Sequence, residues 1–432
     1  MNRAIPQPRA AEDAGEPDTR YLVEASRLQG SVRVSGAKNS VLRLMAASLL
    51  TAEPVRLTRY PATLRDAQVQ KGMLEALGKH CSVAGDTLLI EEGSAPPGRL
   101  VWPGRSIRNT LLILGVLTAR TGFGEVPMPG GCQLGDRKHD LHVMLLERLG
   151  ARVTEGPDFL RAEAPGGLTG AEIHLPLRST GATENALLCA TLARGRTVIW
   201  GPHIRPEILD LVAMLRRMGA GIEVFGQERI EVAGVEALGG ADHDVIPDNM
   251  EALTWMIGAA ITGGEVEIVD FPTRDLEVPL VFLKESGLRH FTGPDSVLVR
   301  GGACWPVEIA TGPYPGINSD MQPLFAIFGA MSPGESRIVD LRFPGRYAYA
   351  QELARLGVKV RTVGDVLHVT GGRQLHGATV RALDLRAGIT LALAGLVAQG
   401  VTEIRDAWQV ERGYDRFVEK LRGLGGRIRV DG

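Results

Sequence analysis

Residues 208–219 read ILDLVAMLRRMG, and this stretch decides how the chain is organised. Its apolar side chains recur at positions i, i+3, i+4 and i+7, which is the pattern of one face of an amphipathic helix. The glycine that ends the stretch, Gly219, suits the left-handed position just beyond a helix C-terminus. The stretch therefore predicts a helix that stops at Gly219.

The same pattern of a helix running into a glycine occurs six times, at intervals of about 70 residues. The six glycines are Gly78, Gly150, Gly219, Gly287, Gly357 and Gly425. A β-hairpin follows the glycine, most clearly where residues 358–360 and 366–369 flank the turn pair Gly364-Asp365. The regular spacing indicates six copies of one small α/β unit.

A second part of each unit repeats in register with the first. It is an Ala- and Leu-rich helix that leads, usually across a glycine, into a β-rich run. These helices are predicted at 38–50, 108–119, 182–193, 253–261, 320–331 and 386–398. We therefore expect each unit to contain helix, strand, helix and hairpin in that order, and the α/β chain to form two lobes of three units.

Composition and charge are those of a globular protein with two domains. A chain of 432 residues exceeds what one hydrophobic core usually supports, and 44% of the residues are hydrophobic. The net charge of −2 provides no basic field for nucleic acid, so no nucleic-acid partner is expected. The longest apolar run, 111–119, is far short of the roughly 20 residues of a membrane span, so no membrane association is expected. Residues 1–18 are rich in Pro, Ala and acidic residues and are expected to form a disordered leader.

The four cysteines are widely spaced, which fits a reducing compartment and predicts a cytoplasmic protein. Cys189 lies in an apolar helix and is expected to be a buried small hydrophobe. Cys132 differs because three glycines and several cations surround it, and nearby cations favour a reactive thiolate. A metal site made of Cys132, His139 and His142 lacks a fourth ligand at a recognised spacing, so no metal is expected.

Cations and one acid stand at the starts of the repeated helices. They are Lys38, Arg108, Asp320 and Arg386. Because equivalent positions of repeated units should lie close together, we expect these side chains to cluster. Helix N-termini attract anions, and fixed Lys and Arg side chains bind phosphate or carboxylate. The pattern therefore predicts a site for an anionic substrate.

Several motifs, in their order along the chain, resemble those of the enolpyruvyl transferases, and of the UDP-N-acetylglucosamine 1-carboxyvinyltransferases in particular. The motifs are Leu28-Gln29-Gly30, Ser35-Gly36-Ala37-Lys38-Asn39, Pro129-Gly130-Gly131-Cys132, Arg137 to His142, Gly181-Ala182-Thr183-Glu184-Asn185, Ser319-Asp320-Met321-Gln322, Asp384-Leu385-Arg386-Ala387 and Arg412-Gly413-Tyr414. The resemblance implies a two-lobed inside-out α/β barrel of six βαβαββ repeats. It places the N-terminal lobe at 36–245 and the C-terminal lobe at 19–35 plus 246–432.

The resemblance also implies a reaction, the transfer of the enolpyruvyl group of phosphoenolpyruvate to a hydroxyl of a uridine nucleotide, with release of phosphate. It implies catalytic roles for Cys132, Asp320, Lys38 and Arg386. Cys132 resembles the general acid, which fosfomycin alkylates in this family, and Asp320 resembles the base. Phosphoenolpyruvate is a substrate, and no cofactor is expected.

Two sets of binding residues follow from the same resemblance. The phosphoenolpyruvate set consists of Lys38, Arg137 and Arg412 for the phosphate, Arg346 and Arg386 for the carboxylate, and Arg108 in the loop-closing group. The acceptor set consists of Asn39, Lys138, His139, Asp140, Leu141, His142, Ser179, Thr180, Gly181, Asp320 and Arg342.

The stretch Arg342-Phe343-Pro344-Gly345-Arg346-Tyr347 departs from the family, which usually has Phe-Glu-Asn-Arg-Phe there. Arg342 stands where the family commonly has a small aliphatic residue that lines the sugar pocket. One interpretation is a divergent enzyme that still uses the 3-hydroxyl of UDP-N-acetylglucosamine, as in peptidoglycan synthesis. Another is a changed acceptor such as the 3′-hydroxyl of UMP, as in relatives from nucleoside-antibiotic pathways. A nucleotide sensor without catalysis is a third alternative, and the sequence leaves the oligomeric state open.

Overall fold

The computed structural model describes residues 18–129 and 139–431 of the chain. These residues fall into two compact units. One unit contains 18–35 and 247–431, and the other contains 36–129 and 139–246.

The described residues contain thirteen α-helices and two short 3₁₀ turns, Ser48–Leu50 and Thr273–Leu276. The helices are α1 (Lys38–Ala47), α2 (Arg65–Ala76), α3 (Thr110–Thr121), α4 (Asp140–Arg148), α5 (Thr180–Ala190), α6 (Pro206–Arg217), α7 (Asn249–Ile261), α8 (Glu277–Glu285), α9 (Gln322–Met331), α10 (Ala348–Arg355), α11 (Leu385–Gly395), α12 (Trp408–Glu411) and α13 (Phe417–Gly423).

Strands make up most of the remaining regular structure. They are β1 (Arg20–Glu24), β2 (Gln29–Arg33), β3 (Val55–Thr58), β4 (Lys79–Ala84), β5 (Thr87–Glu92), β6 (Phe123–Pro127), β7 (Arg152–Glu155), β8 (Phe159–Glu163), β9 (Glu172–His174), β10 (Arg196–Trp200), β11 (Gly221–Phe225), β12 (Arg229–Ala233), β13 (Ala241–Asp244), β14 (Glu265–Val269), β15 (Arg289–Thr292), β16 (Ser296–Arg300), β17 (Glu308–Ala310), β18 (Gly334–Val339), β19 (Lys359–Val363), β20 (Val366–Gly371), β21 (Leu375–His376), β22 (Thr379–Arg381), β23 (Ala398–Gln399), β24 (Val401–Arg405) and β25 (Arg427–Asp431).

Five sheets in the described residues share one arrangement of four strands. Their orders are β13-β3-β5-β4, β9-β10-β12-β11, β2-β14-β16-β15, β17-β18-β20-β19 and β22-β24-β1-β25. In each, the first two strands are parallel and the other pairings are antiparallel, as in β9-β10-β12-β11. A parallel pair needs a crossover, and a helix supplies it, which gives the order βαβαββ. The remaining repeat has three strands, β6-β8-β7, and a single parallel bridge between Arg99 and Glu125 at the place of its first strand.

Three repeats receive a strand from a distant part of the chain. Strand β1 completes the sheet of the sixth repeat, β2 opens the fourth, and β13 opens the first. The chain therefore passes from one unit to the other after residue 35 and again after residue 246. Gly36 is required at the first passage because a Cβ there would lie 2.0 Å from the carbonyl oxygen of Arg59.

The predicted glycine repeat is confirmed by the backbone. All six glycines have φ between 84° and 103°, in the left-handed region that strains residues with a Cβ. The predicted hairpin around Gly364-Asp365 is strands β19 and β20. Helix α6 buries Ile208, Leu211 and Leu215, as its periodicity predicts.

Each unit has its own apolar core, built around three helices that are buried along most of their length. They are α7, α9 and α11 in one unit and α1, α3 and α5 in the other. Helices α3 and α5 pack so closely that a Cβ at Gly115 would lie 2.0 Å from Asn185 Oδ1. Cys189 of α5 is fully buried, as predicted.

Five of the six predicted helix starts were wrong by one to four residues, and the starts predicted at 182 and 253 lie inside α5 and α7. Arg108 and Asp320 lie two residues before α3 and α9, and Arg386 is the second residue of α11. Asp320 lies in a turn closed by Asn318, whose Oδ1 accepts the Asp320 N–H at 3.0 Å, and the helix starts only beside Pro323. Each residue still lies within one turn of its helix N-terminus.

Candidate active site

The Asp320 carboxylate lies between two guanidinium groups of the same unit. Arg346 Nη1 donates to Asp320 Oδ1 at 2.8 Å, and Arg386 Nε donates to Asp320 Oδ2 at 3.4 Å. Arg346 Nη1 also donates to Ser319 Oγ at 3.1 Å, and its Nη2 lies 3.7 Å from Asp384 Oδ2. The predicted base and the two predicted carboxylate partners are thus brought together.

Both arginines stay charged although they are buried. Burial, the largest single effect, lowers the pKa of Arg386, but Asp320, Tyr414 and Asp248 together outweigh it, so the pKa lies above its usual value. The pKa of Arg346 is likewise raised against burial, by Asp320 and then by Asp384. Fixed positive charge in a site that excludes water stabilises an anionic substrate more strongly than the same charge in water.

Local structure explains how Arg386 is held. Asp384 Oδ1 caps α11 by accepting the N–H groups of Arg386 and Ala387, each at 2.7 Å. Arg386 Nη1 donates to the Tyr414 hydroxyl at 3.4 Å. Burial raises the pKa of Tyr414 to about 12 despite Arg386, so this phenol is neutral. Thr254 Oγ1 donates to the carbonyl of Met250, so the Tyr414 proton is directed to Thr254 Oγ1 at 2.9 Å.

Two further predicted residues of this unit differ in their exposure. Arg412 is buried at the end of α12, and its Nη1 donates to Gln409 Oε1 at 2.8 Å. Arg342 is exposed, with its guanidinium 5.4 Å from the centre of the Phe343 ring. Arg346 lies 5.9 Å from the same ring, so Phe343 contacts both cations.

In the other unit, Lys38 is the first residue of α1 and is buried. Its Nζ lies 2.7 Å from Asp66 Oδ2. A cation at a helix N-terminus is opposed by the helix dipole, and Asp66 offsets that cost. Lys38 and the first N–H groups of α1 together favour an anion. Asn39 follows and is half-buried.

His142 is the buried centre of the predicted acceptor residues. Asn185 Nδ2, which also donates to the carbonyl of Leu111, donates to His142 Nδ1 at 3.0 Å, so the proton of the ring is on Nε2. Burial lowers the pKa of His142 to about 3, with smaller contributions from Arg108 and His139. A Cβ on Gly181 would lie 3.3 Å from His142 Nε2. The start of α5 therefore packs against a neutral imidazole.

The remaining predicted acceptor residues lie at the starts of α4 and α5. Ser179 caps α5 by accepting the Ala182 N–H, and Thr180 Oγ1 is hydrogen-bonded to His203 Nδ1 at 2.9 Å. His139 precedes α4, and its Nε2 lies 3.1 Å from Glu155 Oε2. Asp140 is exposed, and Leu141 and Arg108 are half-buried.

Cys132, Arg137 and Lys138 lie outside the described residues, so their predicted roles stay predictions. Several residues that contact the predicted ones were not assigned a role from the sequence, among them Asp66, Asn185, Asp384 and Tyr414. The sequence could have identified Asp384, because an Asp just before an apolar helix is a typical N-cap. No sequence pattern links Asp66 to Lys38, because the two residues belong to different helices.

Known proteins resemble this chain over most of its length. The family described as EPSP synthase (3-phosphoshikimate 1-carboxyvinyltransferase) matches residues 23–421. The chain belongs to this family. It is 41% identical over 418 residues to UDP-N-acetylglucosamine 1-carboxyvinyltransferase 2 of Carboxydothermus hydrogenoformans, covering 95% of this chain and 98% of that protein. It is 40% identical over 419 residues to UDP-N-acetylglucosamine 1-carboxyvinyltransferase of Caulobacter vibrioides, covering 94% of this chain and 96% of that protein.

Solved structures of the EPSP synthase family have the same fold. The enolpyruvyl transferase NikO from Streptomyces tendae superposes with a TM-score of 0.86 at 29% identity, over 96% of this chain and 99% of that one. EPSP synthase from Acinetobacter baumannii has a TM-score of 0.74 at 20% identity, over 96% and 100%. The predicted fold class, the inside-out α/β barrel, is confirmed.

Metal-binding clusters and membrane-spanning helices are both absent from the described residues. In residues 18–129 and 139–431, no group of three or more His, Cys, Asp and Glu side chains is arranged to hold a metal ion. Within the same ranges, every helix is too short or too polar to cross a membrane.

Proposed function

We propose that the protein transfers the enolpyruvyl group of phosphoenolpyruvate to the 3-hydroxyl of UDP-N-acetylglucosamine and releases phosphate. The observation that carries the proposal is the Asp320 carboxylate held between Arg346 and Arg386. A base beside two buried cations fits the addition of an alcohol to an anionic enol phosphate. The identity of 41% to a UDP-N-acetylglucosamine 1-carboxyvinyltransferase supports the choice of acceptor.

In the proposed reaction, the acceptor oxygen bonds to C2 of phosphoenolpyruvate while its proton passes to Asp320. C3 takes a proton, which the family resemblance assigns to Cys132. The bond between C2 and the phosphate oxygen then breaks, and C3 gives up a proton to the thiolate that the first step left on Cys132. This step restores the double bond and releases inorganic phosphate.

In this proposal the predicted cations bind the two anionic groups of phosphoenolpyruvate. Arg346 and Arg386 bind the carboxylate, and Lys38, Arg137 and Arg412 bind the phosphate. Arg346 and Arg386 are held by carboxylates and a phenol before substrate arrives, so little reorganisation is needed at the moment of reaction. Arg108 completes the set.

The acceptor is assigned to the starts of α4 and α5, together with Asn39. His142 offers a neutral imidazole whose Nε2–H lies beside Gly181, where a donor suits an anionic or carbonyl oxygen. The first N–H groups of α5 suit a diphosphate. We place the reaction in the cytoplasm, in accordance with the cysteine spacing, and we assign no cofactor.

One observation favours UMP as a second candidate acceptor. Arg342 is exposed beside Phe343, on the loop that also carries Arg346, and it adds a guanidinium suited to a phosphate. If UMP is the acceptor, Arg342→Val lowers kcat/KM for UMP, whereas the matched variant Arg337→Val on β18 leaves it unchanged.

The test of the proposed function is phosphate release from phosphoenolpyruvate, with UDP-N-acetylglucosamine and UMP as parallel acceptors. Release with UDP-N-acetylglucosamine alone supports the first acceptor, and release with UMP alone moves the assignment to the second. Binding of phosphoenolpyruvate without release in either reaction would overturn the proposal in favour of a sensor. The role of Cys132 is tested separately with fosfomycin. Fosfomycin should inactivate the protein and label it covalently, and the labelling should be lost in the Cys132→Ser variant.

A further inference from the structure

The three repeats of the unit with residues 247–431 each have an aspartate directly after their second strand. These residues are Asp270 after β14, Asp340 after β18 and Asp406 after β24. Asp270 and Asp406 adopt positive φ values of 60° and 54°. Each forms an ion pair with an arginine at the end of the first strand, Arg33 in one repeat and Arg381 in the other.

Asp340, in the middle repeat, departs from this pattern. The residue at the end of its first strand is Ala310, which pairs with Val339 just as Arg33 pairs with Val269. Asp340 is 1% exposed, whereas the side chains of Asp270 and Asp406 are 18% and 24% exposed. A carboxylate buried this deeply is stable only if hydrogen bonds replace water.

The donors to Asp340 come from the segments around the proposed catalytic residues. Its Oδ1 accepts Thr311 Oγ1 at 2.8 Å and the N–H groups of Arg342 and Phe343 at 3.0 Å each. Its Oδ2 accepts Ser319 Oγ at 2.5 Å and, more weakly, Gln322 Nε2 at 3.5 Å. One carboxylate thus joins the segment that contains Asp320 to the loop that contains Arg346.

Ser319 transmits this constraint to the reacting groups. Its hydroxyl proton is committed to Asp340, so its oxygen is left to accept from Arg346 Nη1 at 3.1 Å. The same Nη1 donates to Asp320 Oδ1 at 2.8 Å. Gln322 adds a second link, because its Nε2 also donates to the Arg346 carbonyl at 2.8 Å.

We propose that Asp340 is a positioning residue, which fixes Asp320 and Arg346 relative to each other through Ser319 and the backbone of residues 342 and 343. The inference rests on the proposed function, since it takes Asp320 as the base and Arg346 as a carboxylate partner. The middle repeat has replaced the surface ion pair of its neighbours by a buried support for the reacting groups.

The kinetic test compares Asp340→Asn with Asp270→Asn and Asp406→Asn, the matched variants of the neighbouring repeats. Asp340→Asn removes the acceptor that faces Ser319, and the misplacement of Asp320 is expected to lower kcat by about 10²-fold. The KM for phosphoenolpyruvate should rise through Arg346. Both control variants should keep the parent kcat and KM values. Kinetic constants of Asp340→Asn equal to those of the controls would overturn the proposal.

Three more variants separate position from charge and guard against misfolding. Asp340→Glu keeps the charge but lengthens the side chain, so it should not restore kcat; full restoration would show a role of charge alone. Ser319→Ala leaves the buried carboxylate and its other donors in place and should reproduce the loss of kcat. If Asp340 acts through Ser319, the double variant Asp340→Asn with Ser319→Ala should lose no more kcat than Asp340→Asn alone, because effects along one chain of contacts are not additive. Additive losses would overturn the link.

A crystal structure of Asp340→Asn decides the matter without relying on activity. The contacts of Arg346 Nη1 with Ser319 Oγ and Asp320 Oδ1 are expected to lengthen or break. If wild-type protein releases no phosphate with either acceptor, the proposed function fails, yet this structure still tests the positioning role. Unchanged contacts in the variant would reject that role even for an active enzyme.

Discussion

Arg386 reaches the Asp320 carboxylate through Nε, at 3.4 Å from Oδ2, while Tyr414 occupies its Nη1. The arginine is thereby fixed at both ends, although it is buried at the start of α11. Because Arg346 holds the other oxygen of Asp320, the carboxylate is oriented by two charge-assisted hydrogen bonds. Asp320 and Arg386 therefore form one hydrogen-bonded unit rather than two independent side chains.

Replacement of Asp320 by Asn should lower kcat by about 10²–10⁴-fold, the usual contribution of a general base. The amide cannot take the acceptor's proton, although it fills the same space between the two arginines. Phosphate release under saturating phosphoenolpyruvate and acceptor measures the effect. Asp295→Asn, an exposed position in the same unit, is the control and should behave like the parent. An Asp320→Asn variant with the parent kcat would remove Asp320 from the mechanism.

The buried pair of Lys38 and Asp66 should separate stability from activity. Asp66→Asn leaves the Lys38 charge without its carboxylate and is expected to cost about 3 kcal/mol in free energy of unfolding. The double variant Lys38→Met with Asp66→Leu should recover most of this stability, since apolar pairs of similar volume often replace buried ion pairs. It should not recover binding of phosphoenolpyruvate. Denaturant unfolding and calorimetric titration with phosphoenolpyruvate measure the two effects, and recovered binding would contradict the role of Lys38.

The repeat and the fold class could be predicted from the sequence because their signals are local. Apolar periodicity marks each helix, and a glycine marks each left-handed helix end, as at Gly219 and Gly357. Apolar periodicity did not reveal the first strand of the repeats, because it is three to five residues long in five repeats, as in Glu172–His174, and a single bridge at Arg99 in the other. Its place in the βαβαββ order came from the family resemblance.

The site was predicted in part, for a physical reason. Charged residues such as Asp320 and Arg386 can be recognised from the sequence, because they occupy equivalent positions of the repeat. Their partners are chosen by tertiary structure. Asp66 pairs with Lys38 from another helix, and Asp340 accepts hydrogen bonds from two loops. The spacing of residues in the sequence predicts neither contact.

Two of the repeated glycines should differ in their tolerance of alanine. Gly219→Ala meets no atom within 4 Å, so its cost is that of the positive φ alone, about 1 kcal/mol. A Cβ at Gly78 would lie 2.7 Å from the backbone oxygen of Ser94, so Gly78→Ala should cost clearly more. Thermal unfolding of both variants measures the difference. Equal losses would show that φ, rather than the close contact, determines the requirement for glycine.

His142 should make the protein lose stability in acid in a way that one substitution removes. Its pKa is about 3 in the folded protein, against an ordinary value of 6.5, chiefly because of burial and then because of Arg108 and His139. Between these values the unfolded chain binds a proton that the folded one does not, so stability rises with pH. The contribution is complete above pH 6.5 and is lost as pH falls toward 3, by up to about 1.4 kcal/mol per pH unit.

The variant His142→Asn tests this because its Oδ1 still offers an acceptor to Asn185 but cannot titrate. Urea unfolding from pH 7 to pH 4 should show a steeper loss in the parent than in the variant, and the difference isolates His142 from the carboxylates common to both. His376→Gln, at an exposed histidine, should follow the parent curve. Parallel curves for the parent and His142→Asn would mean that the imidazole can be protonated in the folded state. In that case the neutral Nε2–H donor assigned to the acceptor pocket would have to be abandoned.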